Sequence, residues 1–404
     1  MGGDVMREMK DSGIEWIGTI PASWKTIKNK YIFRLRSGEA ISKEDLIDDG
    51  LYPVYGGGER IGYYNNFNVS SNSFLIGRVG ARCGCVTPVN SLCWATDNAL
   101  IAEFIDINDY YTYALIAADL NRLNESNAQP LITATKVLNV SIPKPDKKEQ
   151  LLIAEFLSNM SNECDTLIID IQSQIEVLEE YKRSVITEAV TKGLDPDVEM
   201  RDSGVQWIGD MPAHWSTMPN KYVMRKVKKI CPKYNGEQIL SLTMNGVTIR
   251  DLDAGGKMPT TFDGYQYVEP DNLLMCLFDI DVTPRCIGLI KDFGLTSPAY
   301  SQFIMSDNAF APYYVYYYTM IDNDKTLLHL AKNLRHSLTE EQLGAISVIV
   351  PPYEEQKEIA DYLDSKIAEI DSIIALKKQQ IETIEEYKKS LIFEYVTGKK
   401  EVGV

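Results

Sequence analysis

The sequence predicts an α+β protein: two mixed α/β domains carried on two long helices. Three observations predict it. The chain has 404 residues, too many for one small domain. A tryptophan-rich block near the N-terminus returns near the middle. A second block, helical in pattern, closes each half of the chain.

The first repeat is explicit. Residues 11–24 (DSGIEWIGTIPASW) return as residues 202–215 (DSGVQWIGDMPAHW), with nine of 14 positions identical at an offset of 191. Four of the five tryptophans, Trp16, Trp24, Trp207 and Trp215, lie in it. The match runs on to Asn29-Lys30-Tyr31 against Asn220-Lys221-Tyr222. In the second repeat, Glu179-Glu180-Tyr181-Lys182-Arg183-Ser184 returns as Glu385-Glu386-Tyr387-Lys388-Lys389-Ser390 at an offset of 206. The same offset aligns Glu149-Gln150 with Glu355-Gln356. The interiors, about 32–140 and 223–346, show no sequence match. Unlike inserts therefore sit in a shared frame.

The closing blocks read as long helices. Leu157, Met160, Cys164, Leu167, Ile171, Gln174, Leu178, Tyr181 and Val185 step by threes and fours, which is a heptad seam. Leu363, Ile370, Ile373, Gln380, Ile384, Tyr387 and Leu391 hold equivalent positions, with Lys366 and Lys377 interrupting. Gln174 and Gln380 share one register, where a polar residue fixes alignment or lies at a wet edge. Pro145 and Pro351-Pro352 precede the helices, and Gly193 with Pro196 ends the first. The expected organisation is a domain over 1–145, a helix over 146–193, a linker and second domain over 194–350, and a helix over 351–404. Two matching helices have each other as the obvious partner, and about 40 residues make a rod of roughly 60 Å.

The inserts read as α+β. Residues 74–86 are β-rich with glycines at bends. Val54-Tyr55-Gly56-Gly57-Gly58 reads as a turn. The tyrosine run at 313–318 fits a packed helix or strand better than a base-stacking platform.

Composition bounds the function. Hydrophobic residues make up 45% and charged residues 24%, which excludes a disordered or collagen-like chain. No apolar run reaches membrane-spanning length, and the first residues lack the apolar core of a signal peptide. A cytoplasmic protein is expected. Its seven cysteines, Cys83, Cys85, Cys93, Cys164, Cys231, Cys276 and Cys286, are then expected as free thiols. The formal net charge of −16 argues against nucleic acid when taken whole. Residues 146–200 and 351–404 hold −8 and −4 of it, while the two large segments are at −2 each. Each large segment leaves room for a local basic patch.

Catalytic signatures are missing. The three histidines, His214, His329 and His336, have no metal-ligand spacing, and Cys83, Cys85 and Cys93 lack a fourth zinc ligand. There is no phosphate-binding P-loop. Val350-Pro351-Pro352-Tyr353 resembles an amino-methyltransferase motif, but Val350 has no hydrogen-bond acceptor. Gly56-Gly57-Gly58 is not followed by a helix-forming run, so it makes no cofactor loop. Pro145-Asp146 and Glu180-x-Lys182 lie too far apart on one helix to form a nuclease site. No metal and no cofactor are expected on this chain.

At this point a family is recognisable. The doubled D-S-G-x-x-W-I-G-x-x-P-x-x-W block, the P-x-x-x-E-Q entry to each long helix and the E-E-Y-[KR]-[KR]-S block resemble the specificity subunit of type I restriction–modification enzymes. The resemblance covers the whole chain. It implies two target-recognition domains, each reading half of a split DNA site. It also implies an antiparallel coiled coil, with pseudo-two-fold internal symmetry, that acts as a ruler and docks two modification (methyltransferase) subunits. Those subunits use S-adenosylmethionine to methylate adenine N6. Two restriction subunits would add ATP- and Mg-dependent translocation and cleavage, and the specificity subunit itself would be non-catalytic. Unlike inserts imply an asymmetric site, and a rod of roughly 60 Å would span about 17 base pairs.

Candidate DNA contacts follow from side-chain chemistry, since Arg, Lys, Asn and Gln read base edges and Arg, Lys and small polar groups hold phosphates. In the first insert they are Arg60, Tyr63, Asn65, Asn66, Arg78, Arg82 and Lys136. In the second they are Asn245, Arg250, Lys257, Thr260, Thr261, Arg285, Asn333, Arg335 and His336. Ala128-Gln129-Pro130 resembles a family element before the helix, and Asn333-Leu334-Arg335 holds the equivalent place. For partner docking and the coiled coil the candidates are Trp16, Trp24, Gln174, Tyr181, Lys182, Trp207, Trp215, Gln380, Tyr387 and Lys388. The tryptophans fit a core that pins each insert to the rod, and Tyr181 and Tyr387 are expected on the seam. The alternative functions are a scaffold that does not bind DNA and a self-contained DNA methyltransferase; salt-dependent DNA binding by the complex and S-adenosylmethionine binding by the chain separate them.

Overall fold

The computed structural model describes residues 7–70, 73–89, 91–105, 108–124, 130–253, 259–283, 285–331 and 336–403. Its helices, numbered in chain order, are α1 (Asp109–Ala117), α2 (Ala134–Asn139), α3 (Lys147–Lys192), α4 (Ala311–Asn323), α5 (Glu340–Ala345) and α6 (Tyr353–Val396). Two compact units divide the chain. Unit 1 is residues 1–172 with 378–404, and unit 2 is residues 173–377. Each unit thus owns one insert, the start of one long helix and the end of the other.

Unit 1 is built around a four-stranded antiparallel sheet in the order Phe33–Ser37, Ala99–Phe104, Ser73–Gly77, Val86–Val89. The central strand Ser73–Gly77 is buried on both faces. Its alternation sends Phe74 and Ile76 to the main core, with Ile17, Trp24, Tyr110, Leu157, Leu391 and Val396. Leu75 points the other way, to a small cluster with Val69, Val89, Cys93 and Ile101. Residues 52–56 form a strand rather than the expected turn. They pair with Glu59–Tyr64 and Trp94–Ala95, and the turn itself is confined to Gly57-Gly58.

Unit 2 repeats this plan without repeating the sequence. Its four-stranded sheet runs Met224–Val227, Ser301–Met305, Leu273–Met275, Ile287–Leu289 in the same order and sense. The two inserts, which show no match residue by residue, share one scaffold. A strand that must hide both faces needs only apolar side chains, and many sequences satisfy that. The tyrosine run is helical: α4 buries Tyr313, Tyr314, Tyr317 and Tyr318, so these rings pack and do not offer a stacking platform. Burial raises the Tyr110, Tyr313 and Tyr318 hydroxyls well above the usual tyrosine range, which keeps them as donors.

The repeated motifs explain how insert and helix join. Trp24 Nε1 donates to Glu149 Oε2 at 2.7 Å, and Trp215 Nε1 donates to Glu355 Oε2 at 2.8 Å. Both tryptophans are 1% exposed. The neighbouring Gln150 donates to Pro145 O at 2.8 Å, and Gln356 donates to Pro351 O at 2.9 Å. Asn108, which caps α1, donates to Gln150, while Gln356 accepts the Phe310 N–H before α4. Tyr110 Oη donates to Val396 O in unit 1, as Tyr313 Oη donates to Val190 O in unit 2. Each long helix ends in a glycine with positive φ under a tryptophan: Gly398 against Pro21 and Trp24, Gly193 against Pro212 and Trp215.

All seven cysteines are free, and no helix among the described residues is long and apolar enough to cross a membrane. Truncating either buried indole leaves a cavity and takes one hydrogen bond from a carboxylate that Arg7 or His214 still contacts. Trp24→Ala is expected to destabilise unit 1 by about 3–5 kcal/mol, and Trp215→Ala to do the same in unit 2, measured as a lowered denaturation midpoint for the affected unit.

Candidate nucleic-acid interface

In unit 1 the glycines decide the geometry. A Cβ at Gly77 would lie 2.0 Å from Arg82 O and 2.6 Å from Gly57 O. Only glycine lets the Gly57-Gly58 hairpin turn, the end of the central strand and the Gly80–Arg82 turn meet backbone to backbone. That meeting gathers Arg60, Arg78 and Arg82 around one tip. Arg82 Nε lies 3.7 Å from Glu59 Oε2. Arg60 Nη1 donates to Tyr63 Oη at 2.9 Å, with its guanidinium 5.3 Å from the ring centroid. Arg78 is half-buried; its Nη1 lies 3.4 Å from Ser37 Oγ, and its Nε is buried with no hydrogen-bond partner. A buried N–H without a partner is costly.

The other first-insert candidates lie elsewhere. Asn65 and Asn66 follow the far end of the Glu59–Tyr64 strand, where Asn65 Oδ1 accepts from Leu51 N and Asn66 Oδ1 from Phe67 N. Lys136 lies in α2, with its Nζ donating to Leu123 O at 3.3 Å. It shares a concavity with Trp16 and Arg122.

In unit 2, Asn245 forms the tip of the hairpin Leu240–Thr243 and Gly246–Ile249, its N–H donating to Thr243 Oγ1 at 3.2 Å. Arg250 directly follows the hairpin. Thr260 is exposed, and Thr261 Oγ1 accepts from Asp263 N. Two further candidates lie beside acids. Arg285 donates to Asn323 Oδ1 at 3.2 Å and lies 3.8 Å from the buried Asp322, which also accepts from Lys325 and from the Cys286 N–H. His336 Nδ1 lies 2.6 Å from Asp281 Oδ2, and this bond holds the Asp281 carboxyl below its usual value. Spacing gave no sign of Asp281 or Asp322. Lys257, Asn333, Arg335, Ala128 and Gln129 lie outside the described residues.

The helices correct the expected seam by one residue at alternate positions. On α3 the inward side chains are Leu157, Ser161, Cys164, Ile168, Ile171, Ile175, Leu178, Lys182 and Val185; on α6 they include Leu363, Ile367, Ile370, Ile374, Lys377, Ile381, Ile384, Lys388 and Leu391. Gln174, Gln380, Tyr181 and Tyr387 are therefore exposed, the tyrosines at 47% and 52%. The cause is visible in the ion pairs. Lys388 Nζ meets Asp165 at 2.7 Å in unit 1, and Lys182 Nζ meets Asp371 at 2.6 Å in unit 2. The lysine stems cover apolar surface and their charges reach the facing helix, so the lysines take the place expected for the tyrosines. In unit 1, Phe156 packs against Tyr395 with the rings tilted by 39° and Lys388 reaches Asp165, so α3 and α6 run in opposite directions there. In unit 2 the contacts of Gln174 with Lys377 and of Lys182 with Asp371 show the same sense. Trp24 and Trp215 are core, whereas Trp16 and Trp207 are half-buried, with Trp16 Nε1 donating to Ser141 O.

Among the described residues no group of three or more His, Cys, Asp or Glu side chains is placed to hold a metal ion. Comparison with known proteins gives a consistent answer. The MjaX specificity subunit of a type I restriction enzyme from Methanocaldococcus jannaschii is 28% identical over 286 residues, 67% of this chain and 62% of that protein. The MjaVIII specificity subunit from the same organism is 25% identical over 315 residues, 73% of this chain and 70% of that protein. A solved chain from work on complex assembly and conformational transition of the type I restriction–modification system shares the fold, with a TM-score of 0.66 at 11% identity over 94% of this chain and 99% of that one. The family described as type I restriction modification DNA specificity domain matches residues 21–177 and 290–386. By that match, over more than half of its length, this chain belongs to the family of type I restriction–modification DNA specificity subunits.

Proposed function

We propose that the chain is the non-catalytic DNA-reading subunit of a type I restriction–modification complex, with each insert reading one half of a split, asymmetric site. One observation carries this reading. The same sheet scaffold is built twice on one repeated frame, yet its tips differ: an arginine and glycine cluster in unit 1, a hairpin around Asn245 in unit 2. Equal scaffolds with unequal tips suit two unlike half-sites on one duplex.

Helices α3 and α6 would pair as an antiparallel coiled coil that sets the gap between half-sites. At 1.5 Å per residue, the 46 residues of α3 measure about 69 Å. The same helices would dock two methyltransferase subunits. In support, Leu167, Ile169 and Tyr387 in unit 1, and Val177, Tyr181, Ile373 and Leu376 in unit 2, are exposed on otherwise polar helices. Apolar exposure of this kind marks protein contact surfaces. S-adenosylmethionine would belong to the methyltransferase subunits, and ATP and Mg to restriction subunits.

The direct test is a genome-wide adenine-methylation map of the host with and without the gene. Loss on deletion of one split, asymmetric motif with a fixed gap is expected; an unchanged map in a host expressing the methyltransferase subunit would refute the reading. Arg78→Ala is expected to relax one half of that motif and leave the other intact, read in the same map. Removing one heptad from both α3 and α6 is expected to change the gap or abolish methylation, and an active variant with the original gap would sink the spacing role.

A further inference from the structure

In a chain of net charge −16, two short stretches are dense in cations and carry no anions. Residues 16–38 hold five, Lys25, Lys28, Lys30, Arg34 and Arg36. Residues 211–236 hold six, Lys221, Arg225, Lys226, Lys228, Lys229 and Lys233. They coincide in the fold. Each runs from a short strand (Lys25–Lys28, Ser216–Pro219) through a 3-10 turn (Asn29–Tyr31, Asn220–Tyr222) into the edge strand of its four-stranded sheet. The turn is pinned from inside: Asn29 Nδ2 donates to Val137 O, and Asn220 Nδ2 to Leu343 O. Ile32 and Phe33, like Val223 and Met224, go to the core. Every cation named here is exposed except Lys226, which is half-buried.

Cations on an edge strand also guard against strand-to-strand aggregation. That role does not account for the rest. Tyr31 and Tyr222 are 64% and 62% exposed, at matching positions in the two units, with Lys30 and Lys221 lying 5.0 and 5.1 Å from their ring centroids. An edge being hidden from partners gains nothing from an exposed aromatic ring. Nor are the cations balanced internally. Arg36 pairs with Glu103 and Lys226 lies 3.7 Å from Glu340, and no other cation of either run has an ion pair among the described residues.

We propose that these two runs hold the phosphate backbone of duplex DNA and read no sequence. The proposal rests on the DNA-reading function above and divides its labour: the tips discriminate bases, and the basic runs supply grip. The choice of ligand follows from the repeat. The tips differ because the half-sites differ, but the sugar–phosphate backbone is the same in both, and so is this feature. Lysine, arginine and tyrosine are among the side chains that bind phosphate.

The test uses the complex of this chain with its methyltransferase subunits, binding a mixed-sequence duplex across a salt series. The variants are Lys25→Gln, Lys28→Gln, Lys30→Gln and Arg34→Gln combined, and Lys221→Gln, Arg225→Gln, Lys228→Gln and Lys229→Gln combined. Each set is expected to weaken binding at least about tenfold, and to lower the slope of log affinity against log salt by about 0.9 for each phosphate no longer neutralised. The methylated motif should keep its sequence. Single reversals, Lys28→Glu and Lys228→Glu, give the same comparison if a combined variant does not fold. An unchanged salt slope overturns the proposal. So does a changed motif, or loss of the methyltransferase subunits from the complex, which would make the runs a protein-binding surface. A wild-type complex that binds no duplex refutes instead the function on which the proposal rests.

Discussion

A single hydrogen bond type orders this protein: an indole N–H held by a carboxylate in the first turn of a long helix. Trp24 with Glu149 and Trp215 with Glu355 fix each insert to the helix that follows it. Burying an indole contributes several kcal/mol of transfer free energy, but area alone has no direction. The N–H gives it one. Glu149 and Glu355 also lie where the helix dipole favours negative charge. The glutamine beside each carboxylate then ties in the helix that follows the sheet, and a tyrosine of that helix reaches the far end of the other long helix. Four repeated residue types thus join one head to two helices.

The frame was legible in the sequence because it is made of such demands. An indole that needs an acceptor, a proline at a helix start and a glycine at a helix end each tolerate few substitutes, so the duplicated copies still match. The shared scaffold of the inserts was not legible. Ser73–Gly77 and Leu273–Met275 perform one task, a strand apolar on both faces, with different residues. Burial selects for apolar character and volume, and identity drifts freely beneath that constraint.

The seam differs from its expected register for a related reason. Counting apolar residues placed Tyr181 and Tyr387 inward, yet Lys182 and Lys388 take that face, each stem covering apolar surface with its charge on Asp371 or Asp165. Periodicity treats lysine as an outward residue and cannot see the acid that awaits it on the facing helix. At the tips the limit was different. Arg60, Arg78 and Arg82 could be named from the sequence, but their convergence depends on the close approach at Gly77. The acids beside Arg285 and His336, Asp322 and Asp281, had no signature in the spacing of the sequence.

The division into units sets an order for folding. Unit 2 is one continuous stretch, residues 173–377, and its core is complete once that stretch exists. Unit 1 is not continuous: its core includes Leu391, Ile392 and Val396 as well as Ile17 and Trp24. During synthesis the first insert leaves the ribosome early, but part of its core follows more than two hundred residues later. Until then the surface that α6 covers, including Phe156 and Tyr110, stays open. Closing so long a loop is slow. The N-terminal half should therefore be the last to become protease-resistant on the nascent chain, although it is the first to be made.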